Sequence, residues 1–227
     1  VAGWHDDYPE KIKPNTASDR VHIIDTAFFM PQLNRHRRIW IYLPAGYDAE
    51  KNKSYPVLYM HDGQNLFTEQ TAPYGEWGID ECLDTLQKKM NKPCIVVGID
   101  HGGDKRLNEY NPYDNAQYGK GEGAAYATFL AQTLKPFVDG HYRTLPDAGN
   151  TFIAGSSMGG LISFYTILQY PDVFGKAGIF SPSFWIAPQL YDDVPKTVFK
   201  NMHYFFLYAG GKESKSMVED VKKMTDA

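Results

Sequence analysis

Thr151-Phe-Ile-Ala-Gly-Ser-Ser-Met-Gly-Gly160 constrains what this chain can fold into more than any other stretch. An apolar run, Phe152 to Ala154, leads into the pentapeptide Gly155-Ser156-Ser157-Met158-Gly159, and a helical pattern from Leu161 to Leu168 follows at once. Strand, sharp turn and helix in direct succession, with a serine at the apex, is the G-x-S-x-G nucleophile elbow. The turn is expected to strain the backbone of Ser157, with Gly155 and Gly159 removing side chains where strand and helix crowd together. The Ser157 hydroxyl then projects above a sheet. The Met158 N–H lies at a helix N-terminus, where developing negative charge is stabilised. The same pentapeptide also occurs as a Gly-rich turn without chemistry. Its place between a clear strand and a clear helix is what favours a nucleophile.

Around this stretch the pattern is one of alternation. Val21–Phe29 and Arg37–Leu43 are rich in β-branched and aromatic residues and read as paired strands. Arg35-His36-Arg37-Arg38 reads as the solvated flank of their hairpin. A third strand, Val57–Met60, ends in His61-Asp62-Gly63. Helical spacing of Ile79, Cys82, Leu83, Leu86 and Met90 predicts a helix over Glu76–Met90. Cys94–Asp100 has the continuous apolar run of a buried parallel strand. Further helices are expected over Gly123–Val138 and Ser214–Met224, and further strands over Lys176–Ser181 and His203–Ala209. The segment from His101 to Glu122 is polar and rich in Gly and Tyr, and loops of that length in a compact domain are usually functional. Alternation of this kind calls for an α/β fold: a mostly parallel central sheet, helices on both faces, and the two opening strands as an antiparallel edge. Residues 1–20 read as an arm or linker end, and residues 21–227 as one α/β domain, a size one core can fill.

Composition removes several classes. Hydrophobic content of 43% with 22% charged residues is globular, not disordered. A formal net charge of −4 and a pI near 6.0 argue against nucleic-acid or anionic-membrane partners. No apolar run approaches the roughly 18 residues of a membrane span. Cys82 and Cys94 are expected in the core and make no disulfide framework. No His, Cys, Asp or Glu cluster has metal-ligand spacing, and neither a G-x-G-x-x-G nor a P-loop occurs, so no cofactor is expected. The 16 Tyr and 13 Phe suit a protein that handles sugars or aromatic acyl groups, and suit a Tyr-rich core equally well. The chain opens on Val1, which fits removal of a leader and a periplasmic or secreted setting.

A serine hydroxyl is barely acidic and needs a base, itself oriented by a third group. On an elbow scaffold the order is serine, then acid, then histidine. The acid is expected on a loop after a later strand. Glu213, in Gly210-Gly-Lys-Glu213-Ser, meets that requirement, and it equally fits a first-turn carboxylate favouring its helix dipole. No histidine follows Glu213. His61 and His101 sit at strand C-terminal ends on the elbow's side and are conceivable stand-ins, whereas His203 begins its strand and lies at the wrong end. The reading is therefore of a domain missing its C-terminal strand and helix. The second oxyanion donor comes from the loop after the third strand. In His61-Asp62-Gly63-Gln64-Asn65 the N–H of Gln64 would fill that role beside Met158, each such donor being worth roughly 3 kcal/mol.

Together these stretches resemble the putative-esterase family of α/β-hydrolases, which includes siderophore esterases, feruloyl and acetyl-xylan esterases, S-formylglutathione hydrolases and mycolyltransferases. The resemblance is carried by Tyr55-Pro-Val-Leu-Tyr-Met-His-Asp-Gly-Gln-Asn-Leu-Phe67, Arg106 with Glu109-Tyr110-Asn-Pro112, Gly155-Ser-Ser-Met-Gly-Gly160, Ser181-Pro-Ser-Phe-Trp185 and Tyr208-Ala-Gly-Gly-Lys-Glu213. It implies an α/β-hydrolase fold and a serine carboxylic-ester hydrolase acting on a small-molecule or oligosaccharide ester. It assigns Ser157 as nucleophile, Gln64 and Met158 as oxyanion amides, and Glu213 as acid. His61, Asp62, Arg106 and Trp185 are then pocket residues. Trp185 either faces an acyl group over the serine or belongs to the core. Arg106 either anchors a substrate carboxylate or pairs with Glu109, the latter being preferred because a long loop needs bracing. Two other readings stand beside the hydrolase: a relative that binds an ester or carbohydrate without turnover, and an acyltransferase.

Overall fold

The computed structural model describes residues 13–214 and 216–226. Of the expected N-terminal arm, residues 1–12 lie outside this range, while residues 13–20 run along the domain. There Lys13 Nζ donates to the Ala72 carbonyl at 2.5 Å, and the Ser18 N–H donates to Asp80 Oδ2 at 2.8 Å.

The elements in chain order are β1 (Val21–Met30), β2 (Arg35–Tyr42), β3 (Val57–His61), α1 (Ile79–Met90), β4 (Ile95–Ile99), α2 (Arg106–Glu109), α3 (Gly123–Phe129), α4 (Lys135–His141), β5 (Thr151–Ser156), α5 (Met158–Gln169), β6 (Lys176–Phe180), α6 (Leu190–Asp193), β7 (Tyr204–Tyr208) and α7 (Met217–Asp226). A π-helical turn, Leu130–Leu134, joins α3 to α4. The seven strands form one sheet in the order β1-β2-β4-β3-β5-β6-β7. β1 pairs antiparallel with β2, and β2 antiparallel with β4; every later pairing is parallel. The antiparallel edge and parallel centre are those that the alternation of strands and helices calls for.

Apolar content explains which elements are interior. β4 is buried along its whole length. α5 is buried from Met158 to Leu168, and its two polar interior side chains are satisfied within the helix: Ser163 Oγ donates to the Gly159 carbonyl and Thr166 Oγ1 to that of Ile162, both at 2.7 Å. α1 begins at Ile79, later than the apolar spacing implies, because Gly78 stands before it in the left-handed region at φ 61°. Cys82 is exposed and not in the core. Ile79 and Leu83 pack toward the sheet, and Cys82, on the same face as Ile79, borders with them an open apolar cleft that leaves it accessible. Burial does enclose the Cys94 thiol and pushes it up to about 12, which leaves it unreactive at neutral pH.

The basic run of β2 is not a solvated flank. Strand alternation sends Arg35 and Arg37 to one face and Arg38 to the other. Arg37 Nη2 donates to both oxygens of the fully buried Glu109 at 2.6 and 2.8 Å, and Arg35 Nη1 donates to Glu109 at 2.9 Å. Arg38 Nε pairs with Asp100 at 2.7 Å.

Where β5 meets α5 the backbones touch. A Cβ on Gly155 would stand 2.6 Å from the carbonyl carbon and oxygen of Gly159. Gly155→Ala should therefore lower stability by about 1–3 kcal/mol, the range for overpacking a tight interior. Urea unfolding followed by circular dichroism measures it, and an unchanged midpoint at equal slope would contradict the close approach.

Candidate active site

In a parallel sheet every strand leaves at the same end. His61, Ile99, Ser156, Phe180 and Tyr208 therefore finish on one rim. The chain passes from β3 to β4 on one side and returns as β5 on the other. Ligand crevices of open α/β sheets form at such a reversal, outside the strands' carboxyl ends. The residues that leave β3 and β5 there are Asp62 and Ser157.

Ser157 has φ 58° and ψ −121°, a conformation that costs energy for any residue with a side chain. The surrounding backbone holds it. The Ser157 N–H donates to the Phe180 carbonyl at 2.9 Å, and the Ser157 carbonyl accepts from the N–H of Leu161 and of Ser183, both at 3.1 Å. Met158 opens α5, so its N–H has no carbonyl one turn back and remains free for an anionic oxygen. Ser157 Oγ lies 3.2 Å from Ser183 Oγ.

A cavity of about 250 Å³ opens on Ser157. His61, Asp62 and Arg106 line it together with Ser157. The Arg106 guanidinium is committed to Asp62, with Nε to Oδ1 at 2.7 Å and Nη2 to Oδ2 at 2.8 Å. The preferred pairing of Arg106 with Glu109 is thus replaced: Glu109 turns inward to β2, and Arg106 turns to the rim. Because the pair is mutually neutralised, the described residues lining the cavity offer no free cation to a substrate carboxylate. Gln64 sits in the single 3-10 turn Gly63–Asn65. Its side-chain Oε1 accepts from the His101 N–H at 3.2 Å, and its carbonyl accepts from Thr71 at 2.6 Å. Gly63 permits this turn, since a Cβ there would stand 2.8 Å from the Gly98 backbone.

Four expected members, Gln64, Met158, Trp185 and Glu213, are not among the residues that line this cavity. Trp185 is 53% exposed, packs edge-on to Tyr118 at 6.2 Å between centroids, and is neither core nor part of this cavity wall. Glu213 is exposed in the turn after β7 and accepts from the Gly210 N–H at 3.1 Å. Conversely, Tyr74 and Trp77 line the cavity without having been singled out. Their signal was the segment Ala72-Pro-Tyr-Gly-Glu-Trp77, two aromatics in a turn-rich stretch directly after the loop of Gln64. Ser183 had a signal too, within Ser181-Pro-Ser183.

Neither nearby histidine is bonded to Ser157 Oγ among the described residues. His101 Nδ1 accepts from the Gly103 N–H at 2.9 Å. His61 is buried, with Nδ1 3.1 Å from the Tyr126 hydroxyl. Burial pushes its imidazole down to about 4, opposed by Asp62 and assisted by Arg106. The unfolded chain, with an ordinary histidine near 6.5, therefore binds a proton that the folded chain excludes. Stability is complete above about pH 6.5 and falls as pH drops toward 4, by about 3 kcal/mol from this group. Urea unfolding at pH 7 and pH 4 should give a loss smaller by that amount in His61→Gln. Equal losses in the two proteins would refute the assignment.

The family model described as "Putative esterase" matches residues 31–208. The chain is 28% identical over 170 residues to the uncharacterized protein YbbA of Bacillus subtilis, covering 72% of this chain and 61% of that protein. It is 27% identical over 210 residues to an endo-1,4-beta-xylanase/feruloyl esterase of Xylanibacter ruminicola, covering 91% of this chain and 26% of that protein. The chain thus spans less than two thirds of the length of either relative. The solved structure of the enterobactin esterase FES from Shigella flexneri in the presence of enterobactin aligns with a TM-score of 0.73 at 22% identity, covering 94% of this chain and 51% of that one. At that identity the likeness speaks for the fold alone.

Proposed function

The chain belongs to the Putative esterase family, and from that premise we propose that it is a serine carboxylic-ester hydrolase working through an acyl-enzyme on Ser157. The single observation that carries this reading is the strained backbone of Ser157, at φ 58° on the apex of a strand-to-helix turn that faces a cavity. Strain of this kind persists only where the surroundings over-determine it, and here it presents a hydroxyl beside a free helix-terminal N–H.

On this reading Oγ attacks the ester carbonyl and its proton passes to a base. The carbonyl oxygen becomes an oxyanion received by the amides of Met158 and Gln64. Collapse of the tetrahedral species expels the alcohol, and water then releases the acid from Ser157. His61 is not suited to be the base, because burial holds it near 4 and Tyr126 occupies Nδ1. Glu213 is the proposed acid, and an exposed carboxylate of this kind would need to turn toward a histidine to serve. The substrate is an uncharged ester, because the Arg106–Asp62 pair cancels its own charge. Tyr74 and Trp77 on the cavity wall favour a planar or sugar-like group. Acyl esters of plant polysaccharides satisfy both conditions, in line with the name of the feruloyl esterase among its relatives, whereas a siderophore-type ester meets the charge condition only in its iron-free form.

A second reading, binding of an ester ligand without turnover, is favoured by one observation: the partner of Ser157 Oγ is another hydroxyl, Ser183, and not a base. One experiment separates the two. The complete reading frame of the gene is expressed, and hydrolysis of p-nitrophenyl acetate is compared with that by Ser157→Ala. The hydrolase reading expects a loss on the order of 10⁶-fold in kcat. Equal rates for the two proteins would overturn the hydrolase reading, and the binding reading then requires saturable binding of an ester ligand by Ser157→Ala. Product analysis with an added alcohol decides between water and an alcohol as acyl acceptor.

A further inference from the structure

The helix α2 is a single turn, Arg106-Leu-Asn-Glu109, too short to be stable alone. Its end residues are also the reverse of what a helix dipole favours, with the cation first and the anion last. Their identity is therefore explained by partners outside the helix. At the first position Arg106 grips Asp62 through two hydrogen bonds at 2.7 and 2.8 Å. At the last, Glu109 is fully buried and receives Arg37 at 2.6 and 2.8 Å and Arg35 at 2.9 Å. Arg35 goes on to Glu122, at 2.6 and 3.0 Å. A carboxylate is retained at such depth only when paired. Tyr110, directly after α2, lies with its hydroxyl 3.4 Å from the N–H of Asp62.

Gly102 supports the same arrangement. Its φ of −81° and ψ of 21° are open to alanine, so backbone conformation does not call for glycine. What does is the carboxylate: a Cβ on Gly102 would stand 2.5 Å from Glu109 Oε2. At the other end, Asp62 has φ 58° and immediately precedes the Gly63–Asn65 turn. It also reaches the elbow, since a Cβ on Gly159 would lie 3.3 Å from Asp62 Oδ2.

We propose that Glu109 is a positioning residue for the Ser157 site: anchored to Arg35 and Arg37 of β2, it holds α2 so that Arg106 fixes Asp62 and, through it, the 62–65 turn that carries the Gln64 amide. The kinetic part of this proposal rests on the hydrolase reading; the ordering of the turn does not.

Hydrogen exchange on the full chain tests it, because the Asn65 and Leu66 amides are protected by bonds to the Asp62 and Gly63 carbonyls at 2.9 and 3.2 Å. Glu109→Gln and Gly102→Ala should each speed exchange at residues 62–66 by about 10-fold, while amides of β3 and β5 change by less than about 2-fold. Arg106→Gln should match them, and the double variant Glu109→Gln/Arg106→Gln should add nothing further. Where Ser157-dependent hydrolysis is present, kcat should fall by about 10- to 100-fold with KM unchanged, as expected of a misplaced oxyanion donor. Should Glu109→Gln fail to fold, Gly102→Ala decides, since it keeps every charged group. Unchanged exchange at 62–66, or a rise shared equally by the strands, would overturn the proposal, as would local loosening with an unaltered kcat. If the wild-type full-length protein hydrolyses nothing beyond Ser157→Ala, the hydrolase reading falls and exchange alone decides the clamp.

Discussion

Between β5 and α5 the chain reverses about a single residue, with the backbone of Gly155 against that of Gly159. This contact dictates most of what surrounds it. With no room for a side chain on Gly155 and little on Gly159, the strand can pass straight into the helix, and Ser157 takes up the strain at φ 58°. The helix that follows is buried on all sides and cannot tilt to relieve it. β6 is drawn in as well, because the Phe180 carbonyl accepts from Ser157 and the Ser183 amide donates to it. A hydroxyl held this way loses little freedom on meeting a reactant, which is the form in which an enzyme stores the entropy of alignment.

The second constraint is charge. Three carboxylates lie at or near the strand ends, Asp62, Asp100 and Glu109, and each has its own arginine or arginines. Asp100 is drawn upward by burial and downward by Trp40 and Arg38, with burial prevailing. These pairs do not steer a charged ligand. They brace the 101–122 segment, which has little helix of its own, and they leave the one arginine on the described cavity wall, Arg106, paired with Asp62. The neutral ester proposed as substrate would enter such a site without competing for a counter-ion.

The fold was legible because periodicity survives in single strands and helices. β4 is a continuous apolar run because both its faces are covered, and the elbow is visible because three glycines bracket it. What was not legible depends on which distant groups meet. Arg35 to Arg38 look like a surface patch until β2 is seen to lie across from Glu109, a partner 72 residues from Arg37. Arg106 and Glu109 have the spacing of a helical ion pair, and only the inward turn of Glu109 separates them. Trp185 shares a motif with Ser183 yet lies outward against Tyr118, whereas Trp77 reaches the cavity from a loop with no periodicity to announce it. Burial by strangers in sequence is the common element in these cases.

Binding and turnover are separable in this architecture. The proposed oxyanion amides and the ion-paired rim depend on β3, β5 and α2, the aromatic wall of Tyr74 and Trp77 on the loop before α1, and none of them requires a base. On the proposed hydrolase reading acylation and deacylation both do, since the same group would accept the Ser157 proton in the first half-reaction and a water proton in the second. His61 illustrates why proximity is insufficient: it lines the cavity, but an imidazole near 4 gives up its proton too readily to draw one from an alcohol. Its buried Nε2 has no hydrogen-bond partner among the described residues, and Nδ1 rests on Tyr126 beneath Asp62. A neutral ring in that position contributes shape where an imidazolium would disturb the Arg106–Asp62 balance. The low proton affinity of His61 therefore protects the site's neutrality, and on the proposed hydrolase reading the base for Ser157 is a group with the opposite environment, one kept solvated and supported by a carboxylate.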